Sequence, residues 1–224
     1  GSEGEENKYN EYILATDDDF SGEVDGEFLY IGSAEYVEVP HVIKGINVTS
    51  YRYMFYNTSV KGVKSTNANI TDMSNMFYNS SATNLDLSGF DTSSVTNMSY
   101  MFSYSSATSL DLSSFDTSSV INMGGMFEGS SATNLDLSGF DTSNVTDMYN
   151  IFNNSLATTI IFGDNFDTSN VTDMNAMFYG SRATSLDLSG FDTSNVTGMS
   201  NMFFNSSATS LDLSSFDTSK VTHM

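Results

Sequence analysis

Leu85-Asp86-Leu87-Ser88-Gly89-Phe90-Asp91-Thr92-Ser93 decides the fold, because it returns at Leu110, Leu135, Leu186 and Leu211 and, in degenerate form, at Ile160. The steps between copies are 25, 25, 25, 26 and 25 residues. The longer step lies in Ile160-Ile161-Phe162-Gly163-Asp164-Asn165-Phe166, which has one residue more than Leu135 to Phe140. A second block, Val95-Thr96-Asn97-Met98-Ser99-Tyr100-Met101-Phe102, recurs at Ile70, Val120, Val145, Val171 and Val196, with a weaker copy from Val48. All 13 methionines fall in two columns, one on Met98, Met123, Met148, Met174 and Met199, the other on Met76 and Met101, with Ile151 filling a gap. Phe77, Phe102, Phe127, Phe152, Phe178 and Phe203 form a further column, as do Leu85, Leu110, Leu135, Ile160, Leu186 and Leu211. Scattered core residues would not keep such a register. A unit that lays each side chain on its own copy in the next turn does.

Within one unit, Ala82-Thr83-Asn84-Leu85-Asp86-Leu87 alternates apolar and polar, which predicts a short strand with Leu85 and Leu87 inward. Ser88 to Ser93 is turn chemistry around Phe90, with Asp91 placed to close an Asx-turn. Thr96 stands where an N-cap is wanted, and Met98, Met101 and Phe102 follow on one face of a short helical or 3-10 turn. About eight buried apolar side chains, at roughly 1.5–3 kcal/mol each, are offset by ordering 25 residues at about 1–2 kcal/mol each. One unit therefore cannot fold alone, and stacking makes the array viable. The expected fold is a repeat solenoid with one short parallel strand per repeat, about seven rungs and roughly 30–35 Å long.

Residues 47–224 form this expected array, which reads as truncated at its C-terminal end. Residues 9–46 do not repeat; Tyr12-Ile13-Leu14, Phe28-Leu29-Tyr30-Ile31 and Tyr36-Val37-Glu38-Val39 read as strands of a small N-terminal cap. Residues 1–8 begin with Gly1-Ser2, a cloning scar, and read as a disordered start. With 28 acidic against 7 basic residues the net charge is −21, which argues against nucleic acid and anionic lipid as partners. No cysteine is present, so thiol catalysis and disulfides are out, and no run of about 20 apolar residues predicts direct membrane insertion.

The two blocks resemble the BspA-like surface repeats of bacteria, with units reading V-T-x-M-x-x-M-F and A-T-x-L-D-L-S-x-F-D-T-S over about residues 46–224. The resemblance implies a leucine-rich-repeat-like solenoid displayed extracellularly on the bacterial cell surface, often as a lipoprotein or wall-anchored protein. Some members are adhesins, so the resemblance implies a host or neighbouring-cell surface protein or glycan as partner. It carries no catalytic residues. Gene context separates this from a phage particle that recognises a host, and a structural spacer or stalk is the other alternative.

Several columns are candidate sites. Asp86, Asp111, Asp136, Asp187 and Asp212 would stand on the outward side of the strand, interrupted by Ile161, beside Asn84, Ser109, Asn134, Ser185 and Ser210. They read either as an acidic, polar strip for a cation, glycan or protein, or as solvated carboxylates that keep a sheet face from aggregating. Asp91 and its copies read as turn caps. Asp17, Asp19 and Ser21 resemble the start of a calcium loop, yet the twelfth position is Phe28 rather than Glu. Tyr56, Tyr78, Tyr104, Tyr149 and Tyr179 lie near the helical turn, either as a surface patch or packed between rungs. His41 and His223 belong to no Ser/His/Asp pattern, and identical Asp in every rung offers no unique carboxylate pair, so no enzyme is expected. The Thr row from Thr92 to Thr218 raises ice binding, although it lies in turns. No cofactor is expected.

Overall fold

The computed structural model describes residues 11–224, so the expectation for residues 1–8 lies outside the described residues. The repeats stack as a parallel β-solenoid with almost no helix. One ladder of single parallel bridges runs through Ser50, Asp72, Asn97, Asn122, Asp147, Asp173, Gly198 and His223, one residue before the first methionine column. The Leu-Asp-Leu side carries the longer strands. β1 (Ile13–Leu14), β2 (Tyr36–Glu38), a hairpin of β3 (Val42–Ile43) and β4 (Ile46–Asn47), β5 (Gly62–Ser65), β6 (Asp86–Phe90), β7 (Asn134–Leu137) and β8 (Thr159–Phe162) follow in order. β1, β2, β5 and β6 pair in parallel, as do β7 and β8, where Leu135 faces Ile160 and Leu137 faces Phe162. Between these sheets the strand shrinks to a single bridge, Asn84 with Ser109, and beyond β8 to single bridges again, Thr159 with Ser185 and Ser185 with Ser210.

The predicted columns form the core. Phe77, Phe102, Phe127, Phe152 and Phe178 are fully buried, with successive ring centroids 5.4–6.0 Å apart and planes within 14° of parallel. These are offset stacks, the arrangement that the ring quadrupole favours. Met98, Met123, Met148 and Met174 are fully buried beside them. The extra residue of the 26-residue step is absorbed after β8. Phe162 turns in against Phe152, Phe166 and Phe191, and Gly163 lies so close to the Ser138 backbone that a Cβ would not fit.

The segment predicted as a helical turn forms a different structure. Met76, Tyr78 and Ser80 do donate to the carbonyls of Met73, Asn75 and Phe77, three residues back. The intervening Met73, Asn75, Phe77 and Asn79 instead donate to Asn97, Ser99, Met101 and Ser103 of the next rung. This alternation requires a left-handed residue twice per rung, as at Asn75 (φ 55°) and Asn79 (φ 55°). The same two positions recur at Gly125 and Gly129, Asn150 and Asn154, and Asn201 and Asn205. Asn and Gly are the residues that adopt this conformation at least cost. Thr96 caps no helix, since its hydroxyl reaches back 3.2 Å to the Thr71 carbonyl of the preceding rung.

The N-terminal region covers the first rung by continuing its sheet, since β1 and β2 extend the parallel ladder. Lys44-Gly45, both at positive φ, close the β3–β4 hairpin as a two-residue turn whose twist suits the strands. Phe28 to Ile31, expected as a strand, makes one isolated bridge, Tyr30 with Phe20. Its N–H groups find other partners, Leu29 on the Ser21 hydroxyl, Tyr30 on Met54 and Ile31 on Asp19.

A row of buried threonines ties the rungs together. The Thr142 hydroxyl donates to the Asp167 carbonyl (2.8 Å) and accepts the Asp167 N–H (2.7 Å), and Thr92, Thr117, Thr168 and Thr193 repeat the pair of bonds. Being buried, these hydroxyls offer no ice-binding surface. Thr142→Val keeps the shape but leaves the N–H and C=O of Asp167 without their partner. It should lower unfolding free energy by about 2–4 kcal/mol. Thr142→Ser should retain most of that stability, as read from urea unfolding of the two variants.

Candidate functional site

The acidic strand column is exposed, apart from a half-buried Asp86, but it has structural work. Asp111 and Asp187 each accept, through Oδ1, the N–H and the hydroxyl of the serine two residues on, at 3.1 and 2.6 Å. Asp86, Asp136 and Asp212 accept the same N–H from Ser88, Ser138 and Ser214. Asp86 Oδ2 also accepts the Tyr12 hydroxyl at 2.8 Å. Asp91, Asp141, Asp192 and Asp217 make the same turn at the next corner, as expected of that column. Asp72, Asn97, Asn122, Asp147 and Asp173 make it at a third. Hydroxyl and amide donation holds the carboxyls of Asp136, Asp187 and Asp212 below their ordinary range. Asn84, Ser109, Asn134, Ser185 and Ser210 stand exposed beside this column, so the structure does bring the expected strip together.

The calcium-like stretch has different partners. Asp19 accepts the Thr16 N–H and Asp17 the Lys44 N–H, both at 2.8 Å. The Lys44 ammonium takes the carbonyls of Phe20 (3.0 Å) and Ser21 (3.1 Å). Among the described residues no group of His, Asp and Glu could hold a metal ion. His41 and His223 hydrogen-bond to Thr66 and Thr222.

The rungs differ from one another mainly on the turn side. At the position of Ser99 they carry Arg52, Ser74, Gly124, Tyr149, Asn175 and Ser200. At that of Ser103 they carry Tyr56, Tyr78, Glu128, Asn153, Tyr179 and Phe204. Seven of the 12 tyrosines lie in these turns, at Tyr53, Tyr56, Tyr78, Tyr100, Tyr104, Tyr149 and Tyr179. Tyr56, Tyr104 and Tyr149 are 38–45% exposed and the other four are half-buried, so the expected patch exists and is partly packed between rungs. Tyr56 and Tyr78 lie 5.7 Å apart, Tyr78 and Tyr104 5.9 Å, and Tyr179 stacks on Phe204 at 5.2 Å. Tyr100 and Tyr104 lie across Gly125 and Gly129 of the next rung, where a Cβ would collide with the rings. Burial pushes the Tyr100 hydroxyl up, and the Glu128 charge does so for Tyr104.

Two adjoining hollows open on this side at the first rungs. One, of about 650 Å³, is walled by Tyr53, Tyr56, Tyr78 and Tyr100 with Arg52 and Asp72. The other, of about 400 Å³, shares Tyr53 and Tyr56 and adds Val24, Glu27 and Leu29 from the cap. Arg52 lies 3.4 Å from Glu27 and 5.3 Å from the centre of the Tyr53 ring. Sequence reasoning singled out Tyr56 and Tyr78 but missed Arg52, Tyr53, Asp72 and Tyr100. The signal was there, since Arg52 is one of two arginines and stands where other rungs carry Ser, Gly, Asn or Tyr.

Residues 49–162 and 156–224 match the family model described as "Mycoplasma protein of unknown function, DUF285", and the chain belongs to that family. No curated protein and no solved structure matches the chain. No helix among the described residues is long and apolar enough to cross a membrane.

The strand carboxylates make stability depend on acid. Their folded pKa lies below the ordinary value, so their contribution is complete above about pH 4 and is lost as pH falls through the lowered folded value. The variant Asp136→Asn with Asp187→Asn should melt below the parent at pH 7. The two should converge towards pH 2, as followed by circular dichroism.

Proposed function

We propose that this family member is a non-enzymatic, adhesin-like interaction module of the BspA-like kind, displayed outside a bacterial cell. It holds a protein or glycan of a host or neighbouring cell by several contacts along one face. The observation that carries this reading is the contrast between faces. Core, corner and threonine columns repeat almost unchanged, while the turn positions change from rung to rung and gather tyrosine. Positions free of structural duty are where a repeat array can diversify for recognition. From Leu85 on, the strand carboxylate column is the same in every rung but that of Ile161, and its members close turns. We therefore assign recognition to the turn side, across the core from the strands.

Tyrosine suits this role because a rigid amphipathic ring gives large contact area at small entropic cost. Contacts on successive rungs add through linkage, so each can be weak while the whole is firm.

Beads coated with the chain should adhere to host epithelial cells or to a neighbouring bacterium. Replacing Tyr56, Tyr104 and Tyr149 together by Ser should reduce adhesion at least tenfold with the melting temperature retained. The Asp136→Asn, Asp187→Asn variant should adhere like the parent. Beads that bind no cell type would favour the spacer, and adhesion lost only with the strand variant would move recognition to the acidic strip.

A further inference from the structure

We infer that the tyrosine-walled cleft at the first rungs is a binding site for a neutral oligosaccharide. This inference rests on the reading of the turn side as the recognition face and names its ligand class. The cleft volume of about 650 Å³ lies within the roughly 300–1,000 Å³ of small-ligand sites. Its aromatic walls are close together but differently inclined. Tyr53 and Tyr56 meet at 5.7 Å and 85°, and Tyr56 and Tyr78 at 5.7 Å and 30°. A pyranose has a face of C–H groups, which suits the negative face of an aromatic ring, and a rim of hydroxyls that both donate and accept.

The polar groups of the cleft match that rim. Asp72 uses Oδ1 on Ser74 (2.8 Å to N, 2.6 Å to Oγ), and among the described residues its Oδ2 has no partner. Asn97 likewise accepts from Ser99 through Oδ1, which leaves its amide as a donor towards the cleft it lines. Mixed single donors and acceptors of this kind suit hydroxyls. They do not suit phosphate or sulfate, because the one guanidinium, Arg52, is already paired with Glu27 and the cleft also holds Asp72. The chain's net charge of −21 repels an acidic glycan further. The adjoining hollow, which shares Tyr53 and Tyr56, gives room for a second sugar residue.

Backbone conformation points the same way independently. Tyr53 (φ 57°) and Tyr100 (φ 56°) occupy left-handed positions that the other rungs fill with Asn or Gly, except for Ala176. A bulky residue there costs of order 1–3 kcal/mol and persists where something other than folding keeps it. Both tyrosines wall the cleft. Asn75 and Asn150 serve the same backbone role without a ring, so the backbone itself does not call for tyrosine there.

The test uses the whole chain titrated with cellotriose, chitotriose and mannotriose, with a sulfated disaccharide of chondroitin as the anionic arm, by calorimetry and tyrosine fluorescence. At least one neutral trisaccharide should bind saturably with 1:1 stoichiometry, little affected by salt, and the sulfated sugar should not. Tyr53→Asn and Tyr100→Asn should each weaken binding at least tenfold while the melting temperature holds or rises. Asp187→Asn, on the strand side, should bind within about threefold of the parent. No saturable neutral sugar up to 10-millimolar order, binding indifferent to both Asn variants, or preference for the sulfated sugar would overturn the proposal. If those results came with cell adhesion that still depends on Tyr56, Tyr104 and Tyr149, the recognition face would stand and its ligand would be protein.

Discussion

A rung with no helix and few strand residues must find partners for its backbone polar groups one turn at a time. This chain does so with short side chains that act as backbone surrogates. Asp or Asn closes three corners by accepting the N–H two residues on, as at Asp111, Asp116 and Asn122. A buried serine closes another, as Ser105 does for the Ala107 N–H. Threonine hydroxyls then bridge rung to rung through both polar groups of one peptide residue. The excess of Ser, Thr, Asn and Asp is therefore the hydrogen-bonding framework of the fold. Burying a backbone group without such a partner would cost about as much as burying an apolar side chain contributes.

This framework explains why the turn side is an alternating one. Every second N–H of Met73 to Ser80 points to the next rung and every other one closes a local turn. A helix would direct all its N–H groups along its own axis and leave nothing to hold the neighbouring rung. The left-handed residues are the means of redirecting half of them. Stability then accumulates between nearest neighbours, and the phenylalanine stack supplies the apolar share of each interface.

The period, the stacked columns and the side bearing the strands were all legible from spacing alone. The helical expectation failed because apolar residues at Met98, Met101 and Phe102 have the same spacing in a helical turn and in two linked β-turns. What separates the two is the pair of Asn/Gly-rich columns four residues apart, at Asn75 and Asn79 and their copies. The acidic strip was legible as a surface but not in role, because a carboxylate that caps a turn and one that awaits a ligand are the same residue. The serine two positions on, Ser113 after Asp111 or Ser189 after Asp187, is the mark of the first. The cleft was legible only in part, since Tyr53 and Tyr100 fall in a different column from Tyr56 and Tyr78 and meet them only when rungs are stacked.

The division of labour between the two faces follows from that chemistry. On the strand side the carboxylates are tied to backbone groups, so changing one disturbs a turn, and from Leu85 on every rung but that of Ile161 keeps Asp there. On the turn side the redirected peptide N–H groups carry most of the hydrogen bonding between rungs and leave the side chains freer to vary. A face whose architecture is carried by its backbone can exchange Ser for Arg or Tyr without refolding. Glycine at Gly125 and Gly129 shows the reverse dependence, since removing the side chain there makes room for Tyr100 and Tyr104 of the preceding rung. Variation in one rung thus shapes the surface of its neighbour, and a cleft arises from residues that no single repeat contains.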